Sequence, residues 1–395
     1  MKWNVARSQI YTASSNPDQM AGIYIHIPFC RKACHYCNFH FSTSLGKAEA
    51  VEASILKEIA LRASELTEAV QTIYFGGGTP SILAPEAINK MLDAIKSDYA
   101  ISSDPEITLE ANPDDITAEK ARAWKRMGIN RFSIGVQSFA DENLQWMNRA
   151  HDASQSIQCI QTIREAGFDN FSIDLIYGTP GQTQEGWIKD LEKAIEMKIP
   201  HLSCYALTVE EGTALHHMIG SGKKEKISAD EQAERFEALV QLSSLAGYTH
   251  YEISNLALPG KESKHNSAYW EGKPYLGFGP SAHSFSGTKR SWNIADNLKY
   301  SQSIEAGILP HEEETLREID QLNEYIMTSL RSIKGMEKEI IKTRWGNDKL
   351  QIISTAIEQF IRSEKIMSTE NAWVLSGEGR FFADGIASSL FFLED

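Results

Sequence analysis

The strongest constraint on the fold is an alternation repeated over the first 250 residues: a short apolar run, then an amphipathic stretch with helical spacing. GIYIHI (Gly22–Ile27) reads as a strand. Ala48–Leu66 reads as a helix with Val51, Ile55, Ile59 and Leu66 on one face. The pattern recurs in QTIYFG then PEAINKMLDAIK, EITLEAN then TAEKARAWKRMG, and RFSIGV then DENLQWMN with SQSIQCIQTIREAG. It continues in FSIDLIYG then EGWIKDLEKAIEMK, and in HLSCYALTV then SADEQAERFEALVQLSSLAG. Apolar, centrally buried strands alternating with helices predict an α/β fold with a parallel sheet. Six such units suit either a doubly wound sheet or an incomplete barrel, and the pattern itself does not separate the two. Gly128 stands where a C′ glycine would end the third helix.

After Tyr248 the pattern changes. YEISNLA is strand-like, and residues 259–299 are rich in Gly, Ser, Tyr and Trp with little periodicity. Glu312–Ser332, Glu337–Arg344 and Lys349–Ser363 have helical spacing, IMSTENAWVLS suggests a hairpin, and GEGRFFADGIASSLFF a final helix. Helices followed by a hairpin predict a helical, winged-helix-like C-terminal domain over residues 255–395, with the βα units in 20–254. Residues 1–19 are polar and patternless, and they read either as an extension upstream of a start at Met20 or as an arm anchored by Trp3 and Tyr11.

Thirty-nine Lys and Arg stand against 53 Asp and Glu, a net charge of −14, which disfavours nucleic acid as a partner. Of five cysteines only Cys159 and Cys204 lie outside one short motif, so no disulfide framework is expected, and the usage suggests a reducing cytoplasm. No stretch approaches the ~20 apolar residues of a spanning helix.

That motif is Cys30, Cys34 and Cys37, spaced C-x3-C-x2-C within YIHIPFCRKACHYCNFHF (Tyr24–Phe41). Three thiolates this close can hold three irons of a four-iron, four-sulfur cluster and leave the fourth iron open to a small molecule. Zinc is the alternative, but no second Cys pair exists and His26, His35 or His40 would have to complete it. The cluster loop follows the first strand directly, at the end of the sheet where parallel α/β barrels carry their chemistry. Gly76, Gly77 and Gly78, followed by Thr79, end the second strand, where absent Cβ atoms let backbone approach a ligand. Glu110, Gln137, Arg149 and Asp174 come at or just beyond the next three strand ends, and a guanidinium suits a carboxylate because it binds through two parallel hydrogen bonds.

The cysteine motif with Tyr36 before its last member resembles the signature of radical S-adenosylmethionine (SAM) enzymes. YFGGGTPS, FSIGVQSF, IDLIYGTPGQ and HNSAYW extend the likeness to the oxygen-independent coproporphyrinogen III oxidase family, and most closely to its HemW-type branch of heme chaperones. The resemblance covers nearly all of the chain from Met20. It implies an incomplete (βα)6 barrel, a [4Fe-4S] cluster on Cys30, Cys34 and Cys37, and SAM chelating the open iron, where electron transfer yields a 5′-deoxyadenosyl radical. It implies SAM contacts from Tyr24, Tyr36, Phe39, Gly76, Gly77, Gly78, Thr79, Glu110, Gln137, Arg149 and Asp174. Glu110 and Arg149 would take the methionyl charges, and Asp174 and Gln137 the ribose. It implies heme on His265, in what reads as a loop walled by Tyr269 and Trp270, with His283 a second candidate.

Two functions remain open under this resemblance: oxidative decarboxylation of coproporphyrinogen III, and heme binding with transfer to an apo-hemoprotein acceptor. The oxidases carry a further cysteine two residues after the third, and an N-terminal segment that closes the site. Here Cys37 is followed by Asn38 and Phe39, and residues 1–19 do not match that segment. Both departures point to the chaperone. The accompanying expectations are a cytoplasmic protein, an electron donor for the cluster, peripheral membrane contact and a homodimer.

Overall fold

The structure, a computed structural model, describes residues 21–393. The expected extension over residues 1–19 lies outside the described residues. Strands β1 (Ala21–Ile27), β2 (Val70–Gly77), β3 (Ile101–Ala111), β4 (Arg131–Gln137), β5 (Phe171–Tyr177) and β6 (His201–Ala206) lie side by side in chain order. Each is parallel to the next. A doubly wound sheet reverses its order near the middle. This one does not, and β1 and β6 pair with other strands rather than with each other. The incomplete (βα)6 barrel is therefore the observed form.

The helices between them are α1 (Ala48–Leu61), α2 (Pro85–Asp98), α3 (Ala118–Met127), α4 (Asp141–Trp146), α5 (Ala153–Glu165) and α6 (Gln184–Glu196), with α7 (Ala214–Gly220) and α8 (Ala229–Leu245) after β6. Their ends follow local chemistry. The Thr117 side chain accepts from the Lys120 amide at the start of α3, and Gly128 ends it at φ 104°, a left-handed conformation that favours glycine. Asp152 and Gln155 form a capping box on α5. All seven residues of β4 are buried, as expected of a strand covered on both faces. One continuous core joins strands and helices, from Ile23 and Phe75 to Trp124, Phe132 and Trp187.

The sheet does not stop where the βα pattern stops. β7 (Thr249–His250) and β8 (Asn255–Ala257) extend it antiparallel beyond β6. After α9 (Lys264–Trp270), β9 (Tyr275–Phe278) returns to pair parallel with β1, and β10 (His283–Phe285) and β11 (Lys289–Asn293) follow. Residues 259–299, expected to be irregular, thus form strands and a helix. After α10 (Asn297–Glu305), β12 (His311–Thr315) forms the outer edge of this twelve-stranded sheet. The expected helix from Glu312 is corrected here: it begins only at Glu318. HEEET is exposed at every position, and its acids pair across the ladder, Glu313 with Lys289 and Glu314 with Arg290. At the junction, buried Glu58 on α1 accepts from the Gly279 amide at 2.9 Å and from Asn293 Nδ2 at 2.8 Å, tying the added strands to the barrel.

A second core forms from α11 (Glu318–Leu330), β13 (Met336–Glu337), α12 (Lys338–Arg362), β14 (Ile366–Ser368), β15 (Ala372–Leu375) and α13 (Ala383–Ser389). The hairpin read from IMSTENAWVLS is β14–β15, joined by β13 into a three-stranded sheet. The two helical stretches read over 337–363 are two helices within α12, separated at Gly346, whose φ of 86° and ψ of 167° are not helical. No helix among the described residues is long and apolar enough to cross a membrane.

Candidate cofactor-binding site

Strands β2 to β6 all end at one cleft of about 1550 Å³, and the loop after β1 closes over it. That loop is held from several sides. The Cys30 amide donates to Ser42 O at 3.1 Å, and the Ser42 amide to Pro28 O at 2.9 Å. The His35 amide donates to Met147 O, while His35 O accepts from the Leu215 amide at 2.7 Å. Asn148 Nδ2 donates to Ala33 O at 2.7 Å. Arg31 pairs with buried Asp115 at 2.8 Å. A loop fixed at this many points presents its side chains in one arrangement, as a bound cofactor requires.

Cys30, Cys34 and Cys37 are free, half-buried and line the cleft together. Burial pushes the Cys30 thiol up to about 11, against a hydrogen bond from Thr79 that lowers it, and Cys37 and Cys34 push it up further. Burial also raises Cys37. Crowded thiols with raised affinity for protons need a cationic centre to become thiolates, which is what iron supplies. Zinc fits less well. Among the described residues no three His, Cys, Asp or Glu converge to hold one metal ion. The neighbouring histidines have other partners: His26 with His40 O at 2.9 Å, His35 with Trp146 O at 2.9 Å, and His40 with Asn297 Oδ1 at 2.8 Å. A cluster spreads its three ligands apart, and a bound cluster would offer one iron without a protein ligand and a source of one electron.

The polar residues expected at the mouth do meet there: Glu110, Gln137, Arg149 and Asp174 all line the cleft, with Gly77, Gly78, Thr79, Tyr36 and Phe39. Arg149 points one amine, Nη1, at Cys34 Sγ (3.3 Å) and gives the other, Nη2, to Asn112 Oδ1 (2.7 Å) and Gly135 O (2.8 Å). Its Nε and the Gln137 Oε1 are buried without a protein partner. Gln137 also sits at φ 68°, left-handed backbone that costs a non-glycine residue of order 1 kcal/mol or more. Orphaned polar atoms and backbone strain at a cleft mark a place prepared for a ligand. Glu110 accepts from Tyr74 Oη at 2.7 Å and from the Gly77 amide at 3.2 Å. Burial lifts its carboxyl to about 7, partly offset by the Tyr74 bond. Burial likewise lifts Asp174 to about 6, with the Ser203 hydroxyl opposing it. Two carboxyls held near neutrality by burial gain most from a ligand that brings positive charge or hydroxyl donors.

Other expected residues lie elsewhere. Tyr24 and Gly76 are not on the cleft wall. They pack behind Glu110, where a Cβ on Gly76 would meet Tyr74 at 2.8 Å and Tyr24 at 3.0 Å. A Cβ on Gly78 would strike the carbonyl oxygens of Phe29 and Ile27, so that glycine is needed for the approach of the cluster loop. Phe39 is 65% exposed, whereas Tyr36 packs against the small core of Leu144, Met147, Ile176, Leu207 and Leu215. Asn112, which the sequence reading passed over, joins Thr79 Oγ1 (3.2 Å) to Arg149. Its place directly after a strand end was the available signal.

HNSAYW is a capped helix, α9, not a loop; the Ser263 side chain accepts from the Asn266 amide. His265 is buried away from the cleft. Its Nδ1 bonds Thr72 Oγ1 at 2.7 Å, its Nε2 bonds Tyr269 Oη at 2.8 Å, and the ring stacks on Tyr74 at 4.9 Å. Burial and Arg131 lower it to about 3, so it is neutral at any ordinary pH, and both nitrogens are engaged. His283 is exposed on β10, beside Trp292.

The model of the radical SAM superfamily matches residues 24–194. A Bacillus subtilis protein named heme chaperone HemW is 33% identical over 93% of this chain and 98% of its own. A Mycobacterium tuberculosis protein of the same name is 31% identical over 95% of each chain. Among solved structures, coproporphyrinogen III oxidase (HemN) from Escherichia coli superimposes with a TM-score of 0.82 over 96% of this chain and 91% of its own, at 23% identity, a likeness of fold. The chain belongs to the radical SAM superfamily and, within it, to the HemW family. Membership implies a [4Fe-4S] cluster and SAM as cofactors.

Proposed function

We propose that this chain is a heme chaperone: it binds heme, carries a [4Fe-4S] cluster on Cys30, Cys34 and Cys37, and passes heme to an apo-hemoprotein in a reducing cytoplasm. The observation that carries this reading is the near-full-length similarity to proteins named heme chaperone HemW, together with Asn38-Phe39 where the oxidases have a further cysteine. In the SAM pocket, Glu110 accepts from the methionyl amino group, Arg149 pairs with the carboxylate, and Asp174 and Gln137 take the ribose hydroxyls. Gly77, Gly78 and Thr79 form the backbone side of that pocket.

The Glu110 role predicts a pH dependence. Its carboxyl is raised to about 7, so below that pH it is protonated and must lose a proton to accept as a carboxylate from the methionyl amino group. SAM affinity therefore rises between pH 6 and pH 8 by up to about tenfold per unit below the midpoint, and levels off above it. Calorimetry across this range checks it. Glu110→Gln should flatten the profile, and a steep rise persisting in that variant would assign the proton to another group.

The function is tested on one anaerobically reconstituted preparation, by heme titration and by a decarboxylase assay on coproporphyrinogen III. Heme binding without vinyl product is the expected result. Robust product with SAM and a reductant would restore the oxidase reading. For the seat of heme, the open cleft is favoured over His265, whose nitrogens are both bonded within the fold. The motif HNSAYW favours His265, and ligation there requires Tyr269 to release Nε2. A Soret band unchanged in His265→Ala is expected for the cleft. A shifted band and weakened binding in His265→Ala, with tighter binding in Tyr269→Phe, would move the iron to His265.

A further inference from the structure

The cleft is larger than one cofactor needs. Ordinary ligand pockets run roughly 300–1,000 Å³, and this one reaches about 1550 Å³. The cysteines and the strand-end polar groups occupy its inner part. Its outer part lies between α8 and the segment leading into α13, and its walls are Phe236, Val240, Ile253, Phe381 and Phe382. Phe236 and Phe381 meet edge to face at 4.5 Å, which fixes an aromatic corner.

Two guanidiniums reach this outer compartment. Arg331 pairs with Asp384. Arg380 is different: it is half-buried on the cleft wall, and no carboxylate among the described residues pairs with it. Burial alone pulls its pKa down, with no compensating anion. The neighbouring His250 is pushed to about 4 by burial and by Arg380, and so adds no second positive charge there. A guanidinium withdrawn from water without a partner is costly to the protein. The cost is offset when a ligand brings an anion to it, most effectively a carboxylate matched to the guanidinium fork.

We propose that the outer cleft is a binding site for a planar apolar ligand bearing carboxylates, one of which pairs with Arg380 while the ring system lies against the Phe236–Phe381 corner. This deepens the function proposed above and rests on it: a tetrapyrrole with propionate side chains has this chemistry, and the seat is defined by its carboxylate rather than by its iron.

The test uses the full chain with its cluster reconstituted, and protoporphyrin IX as probe. That ring carries both propionates but no iron, so its binding reads carboxylate recognition apart from axial ligation. Arg380→Gln should weaken protoporphyrin IX binding ten- to a hundredfold by fluorescence titration, the range of a charge-assisted hydrogen bond. Arg380→Lys, which keeps the charge but not the fork, should lie between. Cluster iron should be unchanged in both. On the unaltered protein the dimethyl ester, with both carboxylates masked, should bind as weakly as protoporphyrin IX binds Arg380→Gln. Equal binding of the acid and its ester to the unaltered protein, or equal affinity in Arg380→Gln, would overturn the assignment and leave heme binding elsewhere intact. If the unaltered protein binds neither protoporphyrin IX nor heme, the assignment and the chaperone reading fall together.

Discussion

Replacing Cys30, Cys34 or Cys37 singly by Ala is expected to remove most of the iron and sulfide retained after anaerobic reconstitution, and with it the broad visible absorption of the cluster. The three thiols line one cleft on a loop fixed by backbone bonds to Ser42, Met147 and Leu215. That scaffold does not depend on the sulfurs, so each variant should fold and lose only the cluster. Of the other two cysteines, Cys159 is buried on α5, and Cys204, buried on β6, also lines the cleft but has its thiol pushed up by burial and by Asp174, which holds it protonated. Iron content by colorimetric assay, with circular dichroism as the folding check, decides the matter. Full iron retention in all three folded variants would rule out the assigned ligand set.

Arg149→Ala is expected to cost one to two decades in SAM affinity. A charge-assisted hydrogen bond contributes about 1.5–3 kcal/mol, and the guanidinium faces the cleft with its Nε unpartnered. The same side chain holds Asn112 and the Gly135 carbonyl and reaches Cys34, so its removal also leaves polar atoms at the cleft without donors. The readout is therefore double: weaker SAM binding by calorimetry, and a cluster that is retained but released faster to a chelator. Arg149→Lys should recover part of the affinity through charge alone, without restoring the bidentate geometry. Unchanged SAM affinity in folded, iron-loaded Arg149→Ala would remove Arg149 from the SAM pocket.

Why some features were legible in the chain and others were not follows from how each is encoded. The barrel strands carry contiguous apolar runs because both faces are buried, and the helices between them carry a 3.6-residue period; β4 and α3 are examples. The cysteine triad is local, with all three thiols within eight residues, so its spacing can be read without the fold. By contrast β12 was unreadable as a strand. Its sequence, HEEET, has no apolar face, and it exists because Lys289 and Arg290 on β11 offer its acids partners across the ladder. The short strand β9 likewise owes its form to pairing with β1, some 250 residues away in sequence, and β10 to pairing with β9 and β11.

The sequence by itself determined the six βα units, because periodicity records burial directly, and it pointed to Cys30, Cys34 and Cys37 and to Glu110, Gln137, Arg149 and Asp174, which all line one cleft, although Arg149 comes after α4 and not at the end of β4. Only the tertiary structure decided that His265 is buried with both ring nitrogens bonded, that Asn112 links Thr79 to Arg149, and that Arg380, on the wall of the same cleft as the cysteines, meets no carboxylate among the described residues. The bond from His265 to Tyr269 spans only 4 residues, but those from Asn112 to Thr79, from Arg149 to Asn112 and between His265 and Thr72 span 33, 37 and 193, and no short window of sequence contains both members of such a pair.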